Sequence, residues 1–460
     1  MWRFCSSSSR GSIAWVVIIL LLLRRHRRVV SWRLRPAIVL QIVGPRLGHG
    51  RSPLTSWPVV PDLCPNPTRR NSIMITRFGS LFAGHVDLDN EGLDGTPVND
   101  RWLSDEYLAT VFPKSEAIAK LMDRTGYDIF WLAEHHFQRE GYECIPNVLM
   151  LALHLCHITR NIRIGCGFNI APMWHPIRVA EDYATVDWLT NGRVVFGVGR
   201  GYHSREVESF GAPILDQDAN RELFEEQVDI IFKSFNERAF AHQGKHYTIP
   251  PPVPYRGYEV RELTLVPRPK TLPVECWQPV VSASQRALDF MAKHGIKGLI
   301  GGGAAAGGAS DKVVHAFREA RARAGRETEL GGDLCIGYSF HIADSVEQGI
   351  KEATPFFEEN IKMFAPLGFV PGLTPEQIEA AGDPKRARQA NLPTLRHAIK
   401  AGTWLVGPPE LIAEQLMEIQ HKYPGLEVVN VGQPVGTPQA VILEQLERFA
   451  AEVMPAFKSK

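Results

Sequence analysis

Gly126-Tyr127-Asp128-Ile129-Phe130-Trp131-Leu132-Ala133-Glu134-His135-His136-Phe137 is the stretch on which the fold turns. A short, almost unbroken apolar run (128–133) reads as a strand covered on both faces, the kind found in parallel sheets. It ends abruptly on a carboxylate and two adjacent histidines. Successive strand residues face opposite ways, so the two imidazoles cannot both enter one pocket. One is expected to face the mouth of the sheet and the other to pack outward.

The same alternation extends along the chain. Strand-like runs fall at 75–83, 128–133, 162–168, 194–199, 279–283, 298–301, 334–342 and 427–431. Apolar-periodic helical stretches lie between them, at 108–121, 148–157, 179–189, 223–235, 286–294, 313–324, 346–364 and 440–453. Thr374-Pro375-Glu376-Gln377 carries the signature of a capping box, and Thr437-Pro438 repeats a cap-plus-proline start. Eight strands alternating with helices predict an α/β protein with a parallel sheet. The strand count favours closing it as a (β/α)₈ TIM barrel, which periodicity alone does not fix. Two connections, 239–276 and 365–404, are long enough to be insertions that wall or cover a pocket.

Composition narrows the function. The chain has 460 residues, 44% hydrophobic and 22% charged, with a formal net charge of +1. Residues 1–73 hold twelve Arg, no Lys and one acid, Asp62, so the remainder is acidic at about −10. An acidic body argues against nucleic-acid binding. Seven cysteines form no CxxC pair, which argues against a disulfide framework or zinc site and suits the cytoplasm. Residues 13–23 are an apolar run closed by arginines, shorter than the roughly 20 residues a membrane span needs. A membrane anchor there is the minor alternative. Residues 1–73 are expected to be an unstructured or artefactual extension, with Met74 as the biological start and 74–460 as the barrel domain.

Active sites of such barrels lie at the carboxyl ends of the strands. Those ends carry His135 and His136, then Asn169, then Gly199-Arg200-Gly201-Tyr202-His203, then Ser282-Ala283-Ser284, then Gly301-Gly302-Gly303. No HExxH or facial-triad spacing occurs, so no metal site is expected. Arg200 between two glycines, with Ser284 opening a helix, makes either a phosphate site or an ordinary turn and N-cap. Gly301 to Ala306 satisfies a GxGxxA pattern, but further glycines interrupt the helix that motif requires, and a flexible loop is expected.

These residues, in this order, resemble the bacterial luciferase-like flavin-dependent monooxygenases. Beside the opening stretch stand Thr159-Arg160-Asn161-Ile162-Arg163-Ile164-Gly165 and His175-Pro176-Ile177-Arg178-Val179-Ala180-Glu181-Asp182. Asp187-Trp188-Leu189-Thr190-Asn191-Gly192-Arg193 then runs into Gly197-Val198-Gly199-Arg200-Gly201. The resemblance spans about 74–460, and the closing Val453-Met454-Pro455 is similar to the end of the luciferase α chain. It implies a dimeric (β/α)₈ barrel, taken here as a homodimer, that receives reduced FMN from a separate flavin reductase. Oxygen would form a hydroperoxide on the flavin, which then oxygenates a hydrophobic organic substrate. The resemblance makes His135 the catalytic histidine, and Arg200, flanked by Gly199 and Gly201, a contact of the FMN phosphate joined by the Ser284 backbone. It places a non-proline cis peptide at Gly167-Phe168 under the flavin ring and sets Glu206 near a carboxylate of the luciferase site. Gly199 and Ala283 replace a cysteine and an acidic residue of the luciferase α chain, which points away from aldehyde oxidation and light emission. The rival expectations are a deazaflavin-dependent oxidoreductase on the same fold and a non-catalytic partner subunit.

Overall fold

The structure is a computed structural model that describes residues 75–301 and 309–457, with the side chains of 309 and 310 excepted. The expectations for residues 1–73, for Met74 as a start and for the glycine loop 302–308 lie outside the described residues.

Eight parallel strands close on themselves: β1 (Arg77–Phe82), β2 (Ile129–Leu132), β3 (Arg163–Cys166), β4 (Val194–Gly199), β5 (Cys276–Pro279), β6 (Lys297–Ile300), β7 (Leu334–Ile342) and β8 (Val428–Gly432). Each pairs with the next, and β8 returns to β1 through Arg77↔Val428 and Phe78↔Val429. The expected barrel is therefore closed, with the helices α1 (Val111–Thr125), α2 (Val148–Ile158), α3 (Pro176–Leu189), α4 (Gln217–Asn236), α5 (Gln285–His294), α6 (Ala309–Arg323), α7 (Val346–Phe364), α8 (Pro409–Lys422) and α9 (Gln439–Arg448) between and after the strands.

The period of two explains the filling. In β2, Ile129 and Trp131 belong to the cluster inside the barrel with Val195, Trp277, Leu299 and Cys335, whereas Phe130 and Leu132 join the larger core of the helix layer. Trp131 meets Trp277 edge-on, with ring centroids 5.5 Å apart. Gly165 on β3 makes room for it, because a Cβ there would come within 2.2 Å of the Trp131 ring. Burying a large apolar side chain of this kind contributes about 2–3 kcal/mol. Upstream, Gly126 ends α1 with φ +84° and donates its N–H to the Met122 carbonyl, a glycine C-cap that delivers the chain into β2.

Several boundaries differ from the sequence expectations. The fifth strand is Cys276–Pro279 rather than 279–283, because Cys276 and Trp277 take the register opposite Phe196 and Gly197. The apolar letters after Pro279 belong to the barrel mouth, where Val281 is 73% exposed. Trp404–Gly407, read only as the end of an insertion, is a fully buried strand paired with the second half of β7. Thr374 does form its capping box with Gln377. Thr437 does not cap α9: Pro438 holds that position, and the Thr437 hydroxyl donates to the Pro434 carbonyl instead. The 239–276 connection folds into two small hairpins, and 365–404 carries the helices Pro375–Ala381 and Leu395–Lys400. No helix among the described residues is long and apolar enough to cross a membrane.

Candidate active site

A cavity of about 570 Å³ opens at the carboxyl ends of the strands, within the roughly 300–1,000 Å³ typical of small-molecule sites. His135, Gly167, Phe168, Gly199, Arg200 and Gly201 all line it. The Gly167–Phe168 peptide is cis. Two other expected residues stand back. Glu206 lies behind His135, and Ser284 is the N-cap of α5 without a side-chain capping bond, while Ala287 and Leu288 of that helix reach the lining.

The adjacent histidines diverge. Glu134 accepts from Ile170 N (2.9 Å), Trp174 Nε1 (2.7 Å) and His136 Nε2 (3.2 Å), so His136 is turned away from the cavity, against Phe210. His135 faces the cavity and is 5% exposed. Its Nδ1 lies 3.2 Å from Glu206 Oε2, and its Nε2 lies 3.3 Å from Glu143 Oε1 and 3.2 Å from the Tyr202 hydroxyl. Tyr202 spends its one proton on Glu143 Oε1 at 2.6 Å, so its oxygen is left to accept. Both nitrogens of His135 thus face acceptors, the arrangement of an imidazolium. Burial pulls its pKa down, but the charges of Glu143 and Glu206 outweigh that and raise it above the ordinary histidine value. Burial likewise pushes Glu206 up, and the hydrogen bond and charge from His135 bring it below the usual carboxylate range. Tyr202 is held far above the phenol value by burial and by Glu143, and remains a hydroxyl.

His135, His203 and Glu206 bring ligand-type atoms within 4.8 Å of one another, a gathering that sequence spacing did not predict because the residues come from two different loops. Hydrogen bonds to Glu143 and Glu206 join these groups.

Across the cavity, Arg200 donates to Asn220 Oδ1 (2.7 Å) and to Gln217 (2.8 and 3.1 Å), which fixes the guanidinium at the start of α4. Burial, with the nearby charge of Arg221, lowers its pKa. Arg221 lines the cavity and has no hydrogen-bond or ion-pair partner among the described residues. Gly201 adopts φ +81°, and a Cβ there would meet Val207 at 2.5 Å. Ile170 and Phe168 pack close to Gly199, 3.2 and 3.3 Å from where its Cβ would be. Gln278, at the end of β5, lines the cavity with a buried Oε1 that has no hydrogen-bond partner among the described residues. Phe364, Leu367 and Phe369 form an apolar wall, and Phe369 packs edge-on against Tyr202 at 4.9 Å.

Glu143, Arg221 and Gln278 were not legible as site residues. Glu143 lies in a loop without motif, and Arg221 looks like any polar residue near the start of a helix. Tyr202 and His203 stood inside a quoted stretch but had no assigned partner.

A family model described as "Luciferase-like monooxygenase" matches residues 98–424. Over 133 residues, the chain is 30% identical to the oxygenase component of a flavin-dependent trigonelline monooxygenase from Acinetobacter baylyi. That stretch is 29% of this chain and 36% of the relative, so the chain spans little more than a third of that protein's length. In fold it is similar to the oxygenating constituent of 3,6-diketocamphane monooxygenase from Pseudomonas putida, solved with FMN. There the TM-score is 0.61 at 18% identity, covering 83% of this chain and 98% of the other. An F420-dependent secondary alcohol dehydrogenase is also similar in fold, with a TM-score of 0.55 at 14% identity over 84% and 100% of the two chains.

Proposed function

Because the chain belongs to the luciferase-like monooxygenase family, we propose that it is the oxygenase component of a two-component FMN-dependent monooxygenase. It would act on a hydrophobic organic substrate, form a homodimer and take reduced FMN from a separate reductase. The observation that carries this reading is one cavity with a carboxylate-clamped His135 on one wall and, beside Arg200 on another, an arginine, Arg221, unpaired among the described residues.

The residues present fit a flavin mononucleotide. Arg200 and Arg221 offer positive charge and free N–H groups for a phosphate, and the Ser284 end of α5 adds a helix N-terminus close by. The orphaned Gln278 amide suits a polar ring edge, and Gly167-Phe168 supplies a flat wall. Bound reduced FMN would supply the electrons that activate dioxygen. His135 supplies a positively charged donor at the cavity wall, suited to stabilising negative charge that develops on oxygen and to giving up a proton there. Glu206 and Glu143 keep that donor charged and oriented. Phe364, Leu367 and Phe369, the last two from the 365–404 insertion, form the apolar lid against water.

Anaerobic titration tests the cofactor assignment. Reduced FMN is expected to bind at least about tenfold more tightly than reduced riboflavin, and the difference should vanish in Arg221→Ala. Equal affinity for the two, or a preference for a reduced deazaflavin that passes hydride without oxygen, would overturn it. Failure to bind any flavin would favour a non-catalytic partner chain.

A further inference from the structure

We propose that His203 is the outer terminus of a proton relay that recharges His135 from a second cavity, so that the flavin-side cavity need not admit water. The inference rests on the role given to His135 above.

The two sides of the His135 ring differ in what they can pass on. On the Nδ1 side, Glu206 Oε1 accepts from the Gln138 amide at 2.8 Å, and Gln138 Oε1 accepts from Arg205 at 2.9 Å. An amide and a guanidinium donate hydrogen bonds but do not exchange protons readily, so that branch is a dead end. Every group on the Nε2 side both takes and releases protons. Tyr202 lies 3.2 Å from Nε2 and 2.6 Å from Glu143 Oε1, and Glu143 Oε2 lies 2.8 Å from His203 Nε2. His203 Nδ1 makes no hydrogen bond among the described residues. His203 also lines a second cavity of about 250 Å³, where Asn99, Ser204 and Arg205 are among its polar neighbours.

His203 takes a proton at Nδ1 from the second cavity and releases the one on Nε2 to Glu143 Oε2. The Glu143 carboxyl turns and passes that proton to His135 Nε2, either directly across 3.3 Å or through the Tyr202 hydroxyl, which accepts one proton as it donates another. One proton moves inward and no bond to carbon changes. His203 is left as the other neutral tautomer and resets when its ring turns Nε2 to the second cavity, where Nε2 takes up one proton and Nδ1 releases one.

The relay is measurable without flavin. In the full chain labelled with [¹⁵N]histidine, the solvent-exchange rate of the His135 ring N–H is read by NMR, with the signal identified by its loss in His135→Asn. His203→Gln is expected to slow that exchange at least about tenfold while leaving the His135 chemical shift in place, and free imidazole should restore it in His203→Ala. Asn99→Trp, which narrows the second cavity without touching the chain of groups, should slow it too and serves if the His203 variants fail to fold. Unchanged exchange in His203→Gln, or in Asn99→Trp, would overturn the proposal. A protein that exchanges as expected but shows no oxygen-dependent flavin chemistry would refute the monooxygenase reading and leave the relay standing.

Discussion

Two buried clusters of charge lie close together in this chain, and only one of them has the makings of a site. The first is centred on Glu359 and Lys362 of α7, both fully buried. Glu359 accepts from Arg101 (3.3 Å), Tyr142 (2.5 Å) and Gly92 N (2.8 Å), and pairs with Lys362 at 2.7 Å. Lys362 spends its remaining protons on the carbonyls of Gly92 and Thr96, both at 2.8 Å. This cluster clasps the loop after β1 to α7. The second, around His135, is equally buried but opens onto the large cavity and is centred on an imidazole whose two nitrogens both face acceptors. Buried charge alone therefore marks a clasp as readily as a catalytic centre. What separates the two is a histidine facing the larger cavity, since Tyr142 and Lys362 of the clasp border only the smaller one.

Breaking the clasp should produce the largest effect. Glu359→Ala leaves Arg101 and Lys362 buried without their carboxylate, and is expected to cost about 3–5 kcal/mol of stability, measured by denaturant unfolding. A loss under about 1 kcal/mol would remove the contrast.

Breaking the catalytic cluster should act on turnover. His135→Asn is expected to lower coupled oxygenation about 100-fold, roughly 2.7 kcal/mol in the barrier, assayed as oxygen used against peroxide released. Its pH dependence has a definite sign. The folded-state pKa of His135 is raised, so its contribution to stability is fully present below the ordinary histidine value and fades as pH rises through the raised value. Coupled activity should fall across the same window, and a limb rising there would contradict the assignment of His135 as donor.

A smaller effect sharpens the contrast at the far wall of the cavity. Arg221→Ala should weaken reduced FMN binding about tenfold, or 1.4 kcal/mol, without changing the unfolding midpoint, because the guanidinium has no partner among the described residues to lose.

The smallest effect tests the edge of the clasp. Burial and then the charge of Glu359 raise Glu91 to about 8, and its buried Oε1 has no hydrogen-bond partner among the described residues. A raised carboxyl favours folding at low pH and loses that advantage as pH rises from the ordinary carboxylate value through about 8. Glu91→Gln should therefore flatten the stability profile and add roughly 1 kcal/mol above pH 8, a figure reduced for the group's partial exposure. Melting curves between pH 6 and 9 check this.

The barrel was legible because β-strands covered on both faces leave an apolar trace, such as Ile129-Phe130-Trp131-Leu132, that helices interrupt at a regular distance. The fifth strand slipped by three residues because Val280 and Val281 look like strand interior, although the ladder is set upstream by Cys276 and Trp277. The Trp404–Gly407 strand was lost for the opposite reason, since four residues give too short a trace to stand out from an insertion. At the site, pleat alternation sufficed to foresee that His135 and His136 would part, and Arg200 could be placed by its flanking glycines. The partners of His135 could not be foreseen. Glu143 and Glu206 reach it from separate loops, and no local period records which loop residues meet across a barrel mouth.

The most direct test of the central claim is a stopped-flow spectrum taken after mixing the protein, preloaded anaerobically with reduced FMN, against oxygenated buffer. The account predicts a protein-dependent transient, spectrally distinct from reduced and oxidised FMN, that decays faster in His135→Asn. Reoxidation at the rate and with the spectra of free reduced FMN would contradict it.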